Sequence, residues 1–156
     1  MTKNEAQNFG REKTMKATAI AVAFMVFMFL IGETRGDFAN GILFFMKAIL
    51  NIHILFILTI LFGSTYIFGG KAGIDIIIEQ KNSLLTALKY VCLIAILVSA
   101  YTIVLGFIKS TIVNYDSLGM YFITSFFKTA ISMLIVWLWA TSKMKKITKN
   151  SKEEIL

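Results

Sequence analysis

Apolar residues fall into four blocks along the chain, 14–32, 42–69, 84–107 and 119–141, separated by short polar connections, and no block contains an Asp or Glu. A helix that crosses a bilayer needs about 20 mostly apolar residues at about 1.5 Å rise each. Each block is close to that length or longer, so the pattern predicts an all-α membrane protein. Its four transmembrane helices form an antiparallel bundle, and residues 1–156 make one membrane domain. Too little chain remains outside the blocks to build a separate core.

The chain has no proline. Membrane helices tolerate proline when neighbours re-satisfy the freed backbone groups, so its absence predicts straight, unbroken helices. The glycines gather near expected helix ends, at Gly32, Gly36 and Gly41 and again at Gly69, Gly70 and Gly73, with Gly63 the main interior exception. Gly69-Gly70 reads as a helix stop. Beyond it, Ile74, Ile77 and Ile78 share one helical face, which predicts a short interfacial helix over 72–83, with a cytosolic extension of the second span as the alternative. Arg35-Gly36-Asp37 in the first loop is an integrin-type tripeptide that arises easily by chance.

Composition supports the membrane assignment: 57% of residues are hydrophobic and mean hydropathy is +0.74, above the range of soluble domains. In a soluble protein a net charge of +7 would suggest nucleic acid. Here the cations flank the spans, so no nucleic-acid partner is expected. Lys3, Arg11, Lys13 and Lys16 precede the first block, Lys71, Lys81 and Lys89 follow the second, and Lys143, Lys145, Lys146, Lys149 and Lys152 follow the fourth. Only Arg35, Lys47, Lys109 and Lys128 belong to the other side. Basic loops resist translocation, so this bias predicts a multi-pass N-in/C-in protein with both termini in the cytoplasm.

Gly32-Glu33-Thr34-Arg35 offers no small-x-small cleavage site, so the first block reads as an uncleaved helix rather than a signal peptide. The single cysteine, Cys92, excludes an intrachain disulfide and paired-cysteine electron transfer. Richness in Ile, Lys, Phe and Asn points to an AT-rich bacterial genome and hence to the inner membrane. Tyr66 and Tyr90 on the inner side, Tyr115 and Tyr121 on the outer side, and Trp137 and Trp139 at the cytoplasmic end of the fourth span read as interface anchors.

Polar groups inside the bilayer are the candidate chemistry, because each costs free energy unless it meets a partner or water. Steps of three and four place Tyr121, Thr124, Ser125, Lys128, Ser132, Ile135 and Trp139 on one face of the fourth span. In the third span Ala95, Ser99, Thr102 and Gly106, continuing the line of Cys92, form a helix-packing seam of small residues. The second span presents Lys47, Asn51 and Thr65 on one face and His53 and Ser64 on another. Counted from the outer ends, Asn51, Ser99 and Lys128 lie about eight to ten residues deep, near mid-bilayer. Together with Lys47 and His53 they make a candidate intramembrane polar site.

Lys128 must snorkel or find an acceptor, and the nearest acids are Glu33, Asp37 and Asp116 in the outer loops. A lone histidine argues against bis-histidine haem or a multi-histidine zinc site, so neither metal nor cofactor is expected. The basic tail, 142–156, is expected to contact anionic lipid headgroups through Lys143, Lys145, Lys146 and Lys149.

No glycine-rich phosphate loop, HExxH or nucleophile set beside a His and an acid is present in the sequence. The leading expectation is therefore a non-enzymatic accessory, regulatory or immunity-type membrane module, acting with a second copy or a membrane-protein partner. The alternative is a small oligomeric transporter or channel for an anionic, lipidic or uncharged solute. An intramembrane enzyme acting on lipid or quinone would have only Lys128, His53 and a few hydroxyls for acid-base work.

Overall fold

The computed structural model describes residues 1–34, 51–108 and 115–153. Lys47, Lys109 and the Arg35-Gly36-Asp37 loop lie outside them, as do the side chains of Glu33, Asp116 and Lys149. Among the described residues the chain is all-helical, with α1 (Lys3–Thr34), α2 (Ile52–Gly73), a π-helical turn (Ile74–Ile78) that continues α2, α3 (Ser83–Ile108) and α4 (Tyr115–Glu153). Three stretches are long and apolar enough to cross a membrane: Ile52–Ile78, Ser83–Ile108 and Leu118–Thr148.

Local chemistry explains where the helices begin. Thr2 and Glu5 form a capping box: the Thr2 amide donates to Glu5 Oε2 at 2.7 Å, and the Glu5 amide donates to Thr2 Oγ1 at 3.3 Å. Helix α1 therefore starts eleven residues before the first apolar block and takes in the polar N-terminal segment. Asn51 is extended, with φ −73° and ψ 117°, and its side chain accepts from the His53 amide at 3.0 Å. That is an N-cap. The described α2 begins at Ile52 with Asn51 as its N-cap, and the first residues of the second block, 42–50, lie outside the described ones.

At its other end α2 overruns the expected stop. Gly69 and Gly70 lie inside the helix, which continues through Gly73 into the π-helical turn, and the chain reverses only at Gln80, with φ 54°. A separate helix over 72–83 does not form. The glycines serve packing instead, because α1 crosses α2 with backbone almost touching backbone. A Cβ on Gly10 would meet Gly69 O, with Gly73 Cα at 2.7 Å, and one on Gly73 would meet Ala6 O, with Gly10 Cα at 2.9 Å. Ala6 beside Gly73, Gly10 beside Gly69, and Thr18 beside Thr65 make this pair antiparallel.

Helix α3 packs most extensively on α4, α1 pairs with α2 and also closes on α4, and α2 meets α3 over a smaller area. The main core combines Ala21, Leu61, Val91, Ile94, Val98, Met133 and Trp137. A second cluster, Ala6, Ile76, Ile77 and Met144, seals the end that carries both termini. Large apolar side chains still cover the outside: Phe24, Leu85, Ile131 and Ile135 are 63%, 64%, 63% and 72% exposed. An apolar exterior of this kind suits a lipid solvent.

Candidate functional site

The buried polar groups fall into two clusters and two clefts. In the first cluster, Thr18 Oγ1 lies 3.2 Å from Thr65 Oγ1, and Trp137 Nε1 donates to Thr18 Oγ1 at 3.4 Å. All three residues are fully buried, so this contact ties α1, α2 and α4 together in the core. Trp137 is therefore not an interface anchor. Trp139, two residues on, is 48% exposed, and the Lys143 ammonium sits 5.8 Å from its ring. Trp137→Phe, which keeps most of the ring but drops the donor, is expected to cost about 1 kcal/mol, and Trp137→Ala about 3–5 kcal/mol. Unfolding in detergent micelles measures both.

The second cluster surrounds Asp75 in the π-helical turn. Tyr90 Oη donates to Asp75 Oδ2 at 2.7 Å, and Lys81 Nζ donates to Asp75 Oδ1 at 3.0 Å while also pairing with Glu79 Oε2 at 2.6 Å. The Lys81 amide closes the turn on Asp75 O at 2.9 Å. Glu79 first, and then Asp75, hold the Lys81 ammonium above its ordinary pKa. The Tyr90 ring stacks on Phe68, with centroids 5.6 Å apart, and is 4% exposed, so Tyr90 too is a core residue rather than an anchor. Tyr66 stays on the surface, with the Arg11 guanidinium 4.3 Å from its ring centroid.

The helix that carries the second apolar block runs on past Gly69, and its π-helical turn brings in Asp75 beyond the carboxylate-free block.

Away from the termini, a groove of about 520 Å³ opens between α3 and α4, with Ile57 of α2 at its edge. Thr102 and Gly106 of α3 face Tyr121, Thr124, Ser125 and Lys128 of α4 across it. Thr102 Oγ1 lies within hydrogen-bond distance of both Ser99 O, at 2.8 Å, and Ser125 Oγ, at 3.0 Å, which couples the two walls. Ala95, Ser99 and Gly106 are buried, and Ser99 Oγ has no hydrogen-bond partner. Lys128 is exposed in the groove. It lies ten residues beyond Leu118, where the membrane-length stretch of α4 begins, which is about 15 Å along the helix axis.

Of the five residues of the candidate polar site, Lys128 lines the groove and Ser99 is buried with its carbonyl 2.8 Å from the Thr102 hydroxyl. By contrast, Asn51 is an exposed cap, His53 is half-buried in the first turn of α2, and Lys47 lies outside the described residues. Among the described residues no three His, Cys, Asp or Glu side chains gather into a metal-binding group.

At the terminal end a second cleft, of about 380 Å³, lies between the π-helical turn and α4. Lys145 and Lys146, expected to meet lipid headgroups, line it, while Lys143 turns toward Trp139. Ile76, Lys81 and Ser142 also line it, and sequence reasoning had not joined them to the tail. Their common position depends on the reversal at Gln80, which no periodicity signals.

Comparison of the chain with protein-family models, curated proteins and solved structures finds no match.

Proposed function

We propose that the chain is a four-span inner-membrane protein with both termini in the cytoplasm, acting without catalysing a reaction. In this reading it is an accessory, regulatory or immunity-type module that receives a partner's transmembrane helix in the Lys128 groove. Two observations support the topology: α1 runs antiparallel to α2, and twelve of the 16 basic residues gather at the side expected to be cytoplasmic.

The groove carries the functional reading. Its Gly106, Ser125 and Thr102 let a helix approach closely and offer hydroxyls for interhelical hydrogen bonds. Lys128 then asks for an anionic counterpart at the same depth, and among the described residues no carboxylate lines the groove. A partner helix with an Asp or Glu in its outer half meets both demands.

The test places a photo-crosslinking residue at Thr124 in native membranes. The expected result is a protein adduct that persists in Lys128→Arg, disappears in Lys128→Leu, and disappears again when the partner's intramembrane carboxylate is made an amide. Lipid adducts alone, or capture indifferent to Lys128, would overturn this reading.

The groove's volume and hydroxyl lining favour a second reading, a small oligomeric transporter or channel for an anionic, lipidic or uncharged solute in which a further copy closes the open side. Anion flux into proteoliposomes compares wild type with Lys128→Leu. Equal flux would remove Lys128 from any pathway.

A further inference from the structure

We infer that the cleft between the π-helical turn and α4 binds the phosphate of an anionic lipid headgroup, with Lys145 and Lys146 as its principal ligands and Lys81 and Ser142 completing the wall. The inference goes beyond the Lys128 groove and requires only that the chain spans a membrane.

The cleft has the charge for such a ligand. Lys145 and Lys146 are exposed, and among the described residues neither pairs with a carboxylate. Lys81 is fixed in place by Asp75 at 3.0 Å and Glu79 at 2.6 Å. These two acids are the anionic groups beside it, and Asp75 is further engaged by the Tyr90 hydroxyl at 2.7 Å. An ammonium has three donors, so Lys81 keeps one for a ligand oxygen after serving both acids. The three lysines outnumber the two carboxylates, and the surplus positive charge faces the cavity. At about 380 Å³ the space suits a glycerophosphate group rather than a bulk surface contact.

Position selects a lipid over a soluble phosphate. Trp139 is 48% exposed and stands one turn before Ser142, and exposed tryptophans favour the headgroup level. The Ser142-to-Lys146 turn is therefore at the depth where lipid phosphates lie. Ile76 lines the cleft, so its inner wall is apolar beside the lysines. Lys145 and Lys146 lie within the first two turns of α4 beyond Trp139, where they would face one leaflet rather than bulk water.

Native mass spectrometry of the full chain in neutral detergent, titrated with phosphatidylglycerol, phosphatidylcholine or glycerol 1-phosphate, tests the assignment. Phosphatidylglycerol is expected to bind with one-to-one stoichiometry and phosphatidylcholine far more weakly. Lys145→Ala/Lys146→Ala should weaken phosphatidylglycerol about tenfold or more, and Ser142→Ala by less. Lys13→Ala/Lys16→Ala removes the same charge from α1 outside the cleft and should change affinity less than about threefold. Thermal unfolding of each variant in the same detergent confirms that the lysine pairs leave the fold intact; a binding loss that tracks unfolding would overturn the assignment. Equal losses from the two lysine pairs would replace the site with diffuse charge. Glycerol 1-phosphate binding as tightly as the lipid, and displacing it, would assign the cleft to a soluble phosphate ligand instead.

Discussion

Gly73→Leu is expected to lower stability by about 3 kcal/mol or more, because overpacking typically costs about 1–3 kcal/mol and this site leaves nothing to yield. At Gly73 the added carbon would meet Ala6 O, with Ala6 C at 3.1 Å and Gly10 Cα at 2.9 Å. All are backbone atoms, which no rotamer change can move aside. Relief requires α1 and α2 to separate, and separation pulls apart the Thr18 to Thr65 contact and exposes Ala6, Ile76 and Met144. Gly10→Leu should behave alike, since its Cβ would meet Gly69 O with Gly73 N at 2.8 Å.

Gly63 provides the contrast. A Cβ there finds nothing within 4 Å, so Gly63→Ala should be neutral or stabilise the helix by up to about 1 kcal/mol. Unfolding by sodium dodecyl sulfate in mixed micelles reads all three variants. Equal costs at Gly73 and Gly63 would contradict the close α1–α2 crossing.

Asp75→Ala is expected to cost about 1.5–3 kcal/mol, the range for a hydrogen bond to a charged group, because it leaves the buried Tyr90 hydroxyl without its 2.7 Å acceptor. Tyr90→Phe should cost less, since Asp75 then retains Lys81 at 3.0 Å. Lys81→Ala should cost least, because its side chain is 51% exposed and keeps solvent as a partner. A double-mutant cycle between Asp75 and Tyr90 should return a coupling of about 1 kcal/mol or more, as expected for residues in direct contact. If Lys81→Ala proved the costliest, the ion pair rather than the phenol would hold the turn.

These two results test parts of the protein that the sequence revealed unequally. The apolar block 84–107 matches α3, Ser83–Ile108, to within a residue at each end, and 119–141 lies inside α4. Such agreement is expected where polar residues bound an apolar run on both sides. The second block differs from the described helix at its C-terminal end, while its first residues, 42–50, lie outside the described ones. Asn51 caps the described helix by a local hydrogen bond, and a lone asparagine in an apolar run reads equally well as a buried polar group. The block's C-terminal end was misread because glycine stops helices and also lets them touch. Only Ala6 and Gly10 on the opposing helix decide between the two roles, and they stand more than fifty residues away in sequence.

The start of α1 was, by contrast, legible. Thr2-x-x-Glu5 has the spacing of a capping box, but the polarity of the residues that follow masked it.

The candidate site divides along the same line. One face of α4 holds Tyr121, Thr124, Ser125 and Lys128, and a period of 3.6 predicts that grouping without any knowledge of neighbours. Their meeting with Thr102 and Gly106 was also foreshadowed, as a packing seam. Tyr90 and Trp137 were not, because the same aromatic residue serves as an anchor or as core according to the face it occupies. Trp137 is 0% exposed and Trp139 is 48% exposed, although only two residues separate them.

By itself the sequence determined that the chain is helical, that its apolar stretches reach membrane length, and on which face of α4 its hydroxyls and Lys128 stand. Those properties follow from hydrophobicity and helical period, which act within a few turns of one segment. The tertiary structure alone decided that glycines seat α1 on α2, that Asp75 is buried against Tyr90, and that Lys81 joins Lys145 and Lys146 around one cleft. Each depends on which backbone approaches which across 15 to more than 60 residues, and van der Waals contact and hydrogen-bond geometry settle that only once the helices have met.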